Sequence, residues 1–154
     1  MVQESEMKKK NNKFAVIGTV VFIAAMILGV IFLPQILPDD TTTKEYEDIS
    51  VEVAYSMIND TVSFPNLIIL DVRDKIEYDS GHLNNSILIP VGELENRLNE
   101  IEQYNNTEII VHCRSGSRSA SASEILSSNG FSEVYNMLGG INAWINAGYP
   151  TVLI

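Results

Sequence analysis

The chain has 154 residues, room for one ordinary domain and an appendage but not for two full domains. Ten Lys and Arg stand against twenty Asp and Glu, a formal net charge of −10. A surface of that sign repels phosphates, which argues against nucleic acid as a partner. Hydrophobic content is 45% and charged content 19%, an odd balance for so acidic a chain, and two unlike segments averaged together account for it.

The first segment opens on a basic tail, residues 1–13, with Lys8, Lys9, Lys10 and Lys13. Phe14 to Leu33 then run twenty residues without a charged, Asn or Gln side chain. As a helix this stretch covers about 30 Å, the hydrocarbon thickness of a bilayer. A core helix is seldom apolar on every face for so long, and the apolar part of a cleaved signal peptide is usually about 7–15 residues. The expectation is an uncleaved transmembrane helix over 14–33, with the lipid bilayer as its partner. Lysines precede the span and Asp39 and Asp40 follow it, so the positive-inside bias places the tail in the cytoplasm. The globular part is then expected on the extracytoplasmic side of the cell membrane.

Residues 34–47 hold two prolines, a threonine run and charges, and read as a linker. The domain is expected over 48–154. Asp48-Ile49 reads as a short strand and Ser50 as the N-cap of a helix to about Asn59, with Val53, Ala54, Met57 and Ile58 on one face. Leu67–Leu70 is a continuous apolar run, as in a strand covered on both faces. Ile87–Ile89 is a second short strand, and Val91, Leu94, Leu98 and Ile101 recur at helical spacing between Val91 and Tyr104. Glu108–His112 is a third strand, followed by a polar loop and a small-residue helix from about Arg118 to Ser128. Val134-Tyr135, the Gly139-Gly140 turn and a helix over Ile141–Ala147 complete the order. Alternating strands and helices predict an α/β domain with a parallel sheet.

The chain has one cysteine, Cys113, so an intramolecular disulfide is impossible and a cysteine-based metal site is not expected. A lone Cys is more often a buried small hydrophobe than a nucleophile, and its neighbours decide. Here a buried strand leads into Cys113-Arg114-Ser115-Gly116-Ser117-Arg118-Ser119, and a helix follows. The carboxyl ends of parallel strands are where ligands bind, and small residues entering a helix aim several N–H groups at one point. An anion is stabilised there. The Cys113 thiolate qualifies, its pKa lowered by the helix N-terminus and by Arg114 and Arg118, and a persulfide would be held by the same donors.

This loop resembles the active-site loop of the rhodanese family. Other segments fit the family in order: Asp71-Val72-Arg73, Glu77-Tyr78, Gly81-His82-Leu83, Ile89-Pro90, Gly139-Gly140 with Trp144, and Gly148-Tyr149-Pro150. The resemblance covers about Asp48 to Thr151. It implies a rhodanese-like three-layer fold with about five parallel strands and no cofactor. It also implies a sulfurtransferase reaction in which Cys113 takes a sulfane sulfur from a donor such as thiosulfate and passes it to cyanide or a thiol. Phosphatases and arsenate reductases of this fold use a loop one residue longer, whereas four residues separate Cys113 from Arg118, the sulfur-transferring length.

Within the loop, Arg114 is expected to face an anionic donor and Arg118 to act electrostatically or brace the loop. Ser115, Ser117 and Ser119 are hydroxyl donors or simply small, and Gly116 meets a backbone requirement. Asp71 and Arg73 are expected at the pocket rim, as an ion pair holding the loop rather than as substrate contacts. His82 reads as a structural hydrogen-bonding residue, His112 as packing and Trp144 as core. Asn84-Asn85-Ser86 departs from the Pro-Gly-Ala common in the family, which bears on loop stiffness more than on chemistry. The reading from a different class is a non-catalytic, sulfur-carrying or regulatory module serving a membrane partner.

Overall fold

The computed structural model describes residues 46–153. These lie within one compact unit, Thr43–Ile154. The basic tail, the expected membrane span and all of the linker but Tyr46 and Glu47 lie outside the described residues. Among the described residues no helix is long and apolar enough to cross a membrane.

Five strands form one parallel sheet in the order β1-β5-β4-β2-β3. They are β1 (Glu47–Ile49), β2 (Ile68–Asp71), β3 (Ile87–Leu88), β4 (Ile109–His112) and β5 (Val134–Met137). β1 therefore takes in Glu47, which the sequence reading assigned to the linker. The central strand β4 is buried throughout and apolar from Ile109 to Val111, because it is covered on both faces. Ile109 and Val111 join one core with Leu94, Ala122 and Leu126, whereas Ile110 joins another with Ala54, Met137 and Trp144. Burying side chains of this size contributes roughly 1.5–3 kcal/mol each.

Helix α1 (Val51–Asn59) starts where expected, with the Ser50 hydroxyl accepting the Val53 N–H at 3.4 Å. Its buried positions are Val51, Ala54 and Met57, and Val53 is exposed, so the core-facing stripe is rotated from the expected one. A short helix α2 (Lys75–Asp79) was not foreseen; Asp74 and Glu77 stand at the spacing that favours a helix start, and the Asp74 N–H donates to Glu77 Oε2 at 3.3 Å.

The expected single helix over 91–104 is instead α3 (Leu94–Arg97) followed by 3-10 turns at Leu98–Glu100 and Glu102–Tyr104. The reason lies in the spacing of the later apolar residues. Leu98, Ile101 and Tyr104 recur every three positions, the period of a 3-10 helix, and all three pack on one core. Helix α4 (Ser117–Ser128) follows β4, and α5 (Gly140–Asn146) follows β5.

Where α5 meets the β4–α4 loop, the Ile141 N–H donates to the Cys113 carbonyl at 2.9 Å and the Asn142 N–H to the Arg114 carbonyl at 3.1 Å. Gly140, at φ +56, allows that approach: a Cβ there would stand 2.7 Å from the Arg114 carbonyl carbon and 2.8 Å from its oxygen. Backbone cannot yield as a flexible side chain can. We expect Gly140→Ala to lower stability by about 1–3 kcal/mol, read as a reduced urea midpoint at unchanged slope. An unchanged midpoint would show that α5 shifts freely.

Candidate active site

Cys113 follows β4 directly, and Ser117 opens the twelve-residue helix α4. Between them Gly116 takes φ +105, a left-handed value that suits glycine, with the Gly139 nitrogen 3.3 Å from where a Cβ would be. In this turn the Gly116 N–H donates to Cys113 Sγ at 3.1 Å. The carbonyls of Cys113 and Arg114 are engaged by the first amides of α5, so N–H groups are what the loop offers the sulfur.

The electrostatics follow from that arrangement. Burial pushes the Cys113 thiol up, but the N–H groups of Ser119 and Ser115, the Ser119 hydroxyl and the Gly116 N–H outweigh it and hold the thiol below its ordinary value. The Ser119 hydroxyl also donates to the Gly116 carbonyl at 3.0 Å, which ties the first turn of α4 to the loop. Ser119 is buried against the loop, whereas Ser115 and Ser117 are exposed, so Ser115 acts through its amide alone and Ser117 opens the helix.

Arg118 reaches across to helix α2. Its Nη1 and Nη2 donate to the two carboxylate oxygens of Glu77 at 2.7 and 2.9 Å, and Nη1 is 3.4 Å from Asp74 Oδ2. The guanidinium is held above its ordinary value chiefly by Glu77, with the Cys113 charge a smaller contribution. Glu77 is correspondingly held down, first by its hydrogen bond to Arg118. Main-chain amides are chief among the groups that lower the thiol, and Arg118 is coupled to it by charge rather than by a hydrogen bond. Arg114 is exposed, and its guanidinium makes no ion pair among the described residues.

Asp71 and Arg73 form the ion pair anticipated from the sequence, and it is almost fully buried, at 0% and 5% side-chain exposure. Arg73 Nη2 reaches Asp71 Oδ2 at 2.6 Å and the Gly81 carbonyl at 2.8 Å, while the Arg73 N–H donates to Asp71 Oδ1 at 3.0 Å. Breaking such a pair typically costs about 3–5 kcal/mol, because the remaining charge stays buried. The β2–β4 register sets Asp71 beside His112, so the pair lies next to the residue that precedes Cys113.

His112 is fully buried, its Nε2 3.6 Å from Asp71 Oδ2 and its Nδ1 3.4 Å from the Cys113 carbonyl. Burial is the main cause that holds it below its ordinary value, in the neutral form. It borders the ion pair rather than merely filling space. His82 and Trp144 are structural, as expected. His82 Nδ1 lies 3.1 Å from the Tyr78 carbonyl with its ring stacked on Tyr78, and Trp144 Nε1 donates to the Pro150 carbonyl at 2.9 Å. Sequence reasoning missed Glu77 and Asp74 as partners of Arg118; their spacing as a helix start was the available signal.

Residues 50–147 match the family described as Rhodanese-like domain, and the chain belongs to that family. Among relatives, it is 40% identical over 79 residues to the Bacillus subtilis protein named putative sulfur carrier protein YrkF, covering 51% of this chain and 42% of that one. It is 27% identical over 106 residues to the tRNA uridine(34) hydroxylase of Cronobacter sakazakii, covering 66% and 30%. A protein named sulfurtransferase from Allochromatium vinosum is 31% identical over 87 residues, covering 56% and 79%. The crystal structure of a rhodanese-related protein from Thermoplasma volcanium superposes with TM-score 0.62 at 37% identity, covering 71% of this chain and all of that one. The chain thus spans less than half the length of the first two relatives. Family and relatives support a role in sulfur chemistry.

Cys113 is the only thiol, so its titration can be read without interference. The thiolate fraction rises as pH rises through the lowered value, and is complete at a lower pH than for an ordinary thiol. Glu77→Gln removes a negative charge near the site and loosens its hold on Arg118, so both changes favour the thiolate. We expect the midpoint of the thiolate ultraviolet absorbance to move to still lower pH in Glu77→Gln. A midpoint that rises would mean that Glu77 supports the thiolate by positioning Arg118.

Proposed function

We propose that the domain is a sulfurtransferase that carries a sulfane sulfur as a Cys113 persulfide. The observation that carries this reading is the Gly116 amide donating to Cys113 Sγ at 3.1 Å, with the Ser115 and Ser119 amides also holding the thiol down, which favours an anion on sulfur. In the first step the thiolate attacks the outer sulfur of thiosulfate, the S–S bond of thiosulfate breaks, and sulfite leaves with the bonding pair. In the second a nucleophile, cyanide or a thiolate, attacks the outer sulfur of the persulfide and restores the Cys113 thiolate. Charge and electrons balance in both steps, and no cofactor is needed.

Cys113 is only 1% exposed, which favours a slender terminal sulfur over a bulky reactive group. With no second cysteine in the chain, the persulfide cannot be resolved as an internal disulfide, and the sulfur goes to an external acceptor. We further propose that residues 14–33 anchor the protein in the cell membrane with the domain on the extracytoplasmic side. The length of the apolar run and the lysines before it support this.

After incubation with thiosulfate, the protein should gain the mass of one sulfur, lose it on addition of cyanide, and show neither change as Cys113→Ser. A wild-type domain that never acquires the sulfur would leave the regulatory reading in its place. For the anchor, carbonate washing of membranes should leave the protein in the pellet, and protease added outside intact cells should cleave the domain. Release into the wash, or full protection, would contradict the anchor and its orientation respectively.

A further inference from the structure

Beside the Cys113 loop lies an open cavity of about 330 Å³, lined by Arg114, Arg73 and Glu77 together with Asn142, Ile145 and Thr151. Its charges are unequal in availability. Arg73 is neutralised by Asp71, and Glu77 by Arg118. Arg114 is left. Between residues 46 and 153 the chain has five Lys and Arg against fifteen Asp and Glu. The other four of these cations, Arg73, Lys75, Arg97 and Arg118, each pair with a carboxylate. The one guanidinium without a carboxylate partner among the described residues thus stands on the residue next to Cys113.

The remaining lining fits an organic anion better than a bare inorganic one. Ile145 is 54% exposed on α5 and offers apolar surface that a small oxyanion would not use. Asn142 and Thr151 add an amide and a hydroxyl at the wall. Arg114 follows Cys113 directly in the loop, and Ile141 of the same wall donates its N–H to the Cys113 carbonyl, so the cavity adjoins the loop that carries the sulfur.

We propose that this cavity is the acceptor site of the transfer reaction, and that it selects small thiols bearing a carboxylate, held by Arg114 with their aliphatic part against Ile145. The proposal rests on the sulfur-transfer reading of Cys113. The acceptor thiol loses its proton to solvent, and its thiolate attacks the outer sulfur of the Cys113 persulfide. The Cys113–sulfur bond breaks and the Cys113 thiolate re-forms, leaving the acceptor as a persulfide. The distant carboxylates of this acidic domain oppose the approach of an anion, but at about 0.1 M salt charges beyond roughly 10 Å are largely screened, whereas Arg114 acts at contact.

The test isolates the second step. The full-length protein is loaded with sulfur by thiosulfate, freed of excess donor, and mixed with 3-mercaptopropionate, 2-mercaptoethanol or cysteamine while loss of the Cys113 sulfur is followed by mass. The ratio of the rate constant for the carboxylate thiol to that for the neutral thiol is then compared between proteins, which cancels the thiols' own reactivities. Arg114→Gln should lower that ratio about three- to fivefold, the size expected of an exposed charge contact. Arg114→Lys should retain part of it, and Ile145→Glu, which adds a carboxylate to the wall, should also lower it. The same variants should raise the relative rate of cysteamine. A ratio unchanged in both Arg114→Gln and Ile145→Glu, measured by mass on the molecules that carry the sulfur whatever their fraction, overturns the acceptor site and leaves the transferase reading intact. Failure of the wild-type protein to load at all overturns the transferase reading and this inference with it.

Discussion

The site depends on two carbonyl groups being held away from a sulfur. Without the hydrogen bonds from Ile141 and Asn142, the Cys113 and Arg114 carbonyls would be free to turn inward, and a carbonyl oxygen facing a thiolate is repulsive. The β5–α5 corner, with Gly140 against the loop backbone, is therefore as much a part of the anion site as the amides that touch the sulfur. Twenty-odd residues separate the loop from α5 in sequence, yet α5 reaches the loop because β5 pairs directly with β4. Sheet order, more than any one side chain, makes the site.

A second constraint acts from below. The β2–β4 register puts a buried Asp71–Arg73 pair and a neutral, buried His112 at the base of the loop. Arg73 also holds the Gly81 carbonyl, so the segment that leads to His82 is tied to the same point. Buried ion pairs give little net stability, but they penalise any rearrangement that separates the partners. Here the effect is to fix geometry: the end of β2, the turn to Arg73 and the segment at Gly81 are tied to one point, against which His112 of β4 packs.

The parts legible in the sequence were those with a local signal. The five strands and their alternation with helices follow from apolar runs and punctuation, and Ser50 and the Cys113 loop were readable as a cap and a turn. The break of 91–104 into short helices was harder, because a repeat of three between Leu98 and Tyr104 differs from a helical repeat by a fraction of a residue per turn. The partner of Arg118 was not legible, since nothing local indicates that α2 lies across from the start of α4. Contacts between residues forty positions apart, such as Arg118 with Glu77, are set by topology, and topology is not written in any one window.

That pairing bears on chemistry. A loop arginine free to present its fork would suit phosphate, which takes two parallel N–H bonds from a guanidinium. Here both terminal nitrogens of Arg118 already donate to Glu77, and a second carboxylate group, Asp74, stands near Nη1. An incoming phosphate would meet the carboxylates as well as the arginine and would have to break a charge-assisted pair to be bound. A single sulfur on Cys113 makes no such demand, because main-chain N–H groups suffice for it. The short loop and the occupied arginine thus argue in the same direction from independent features, one of spacing and one of charge.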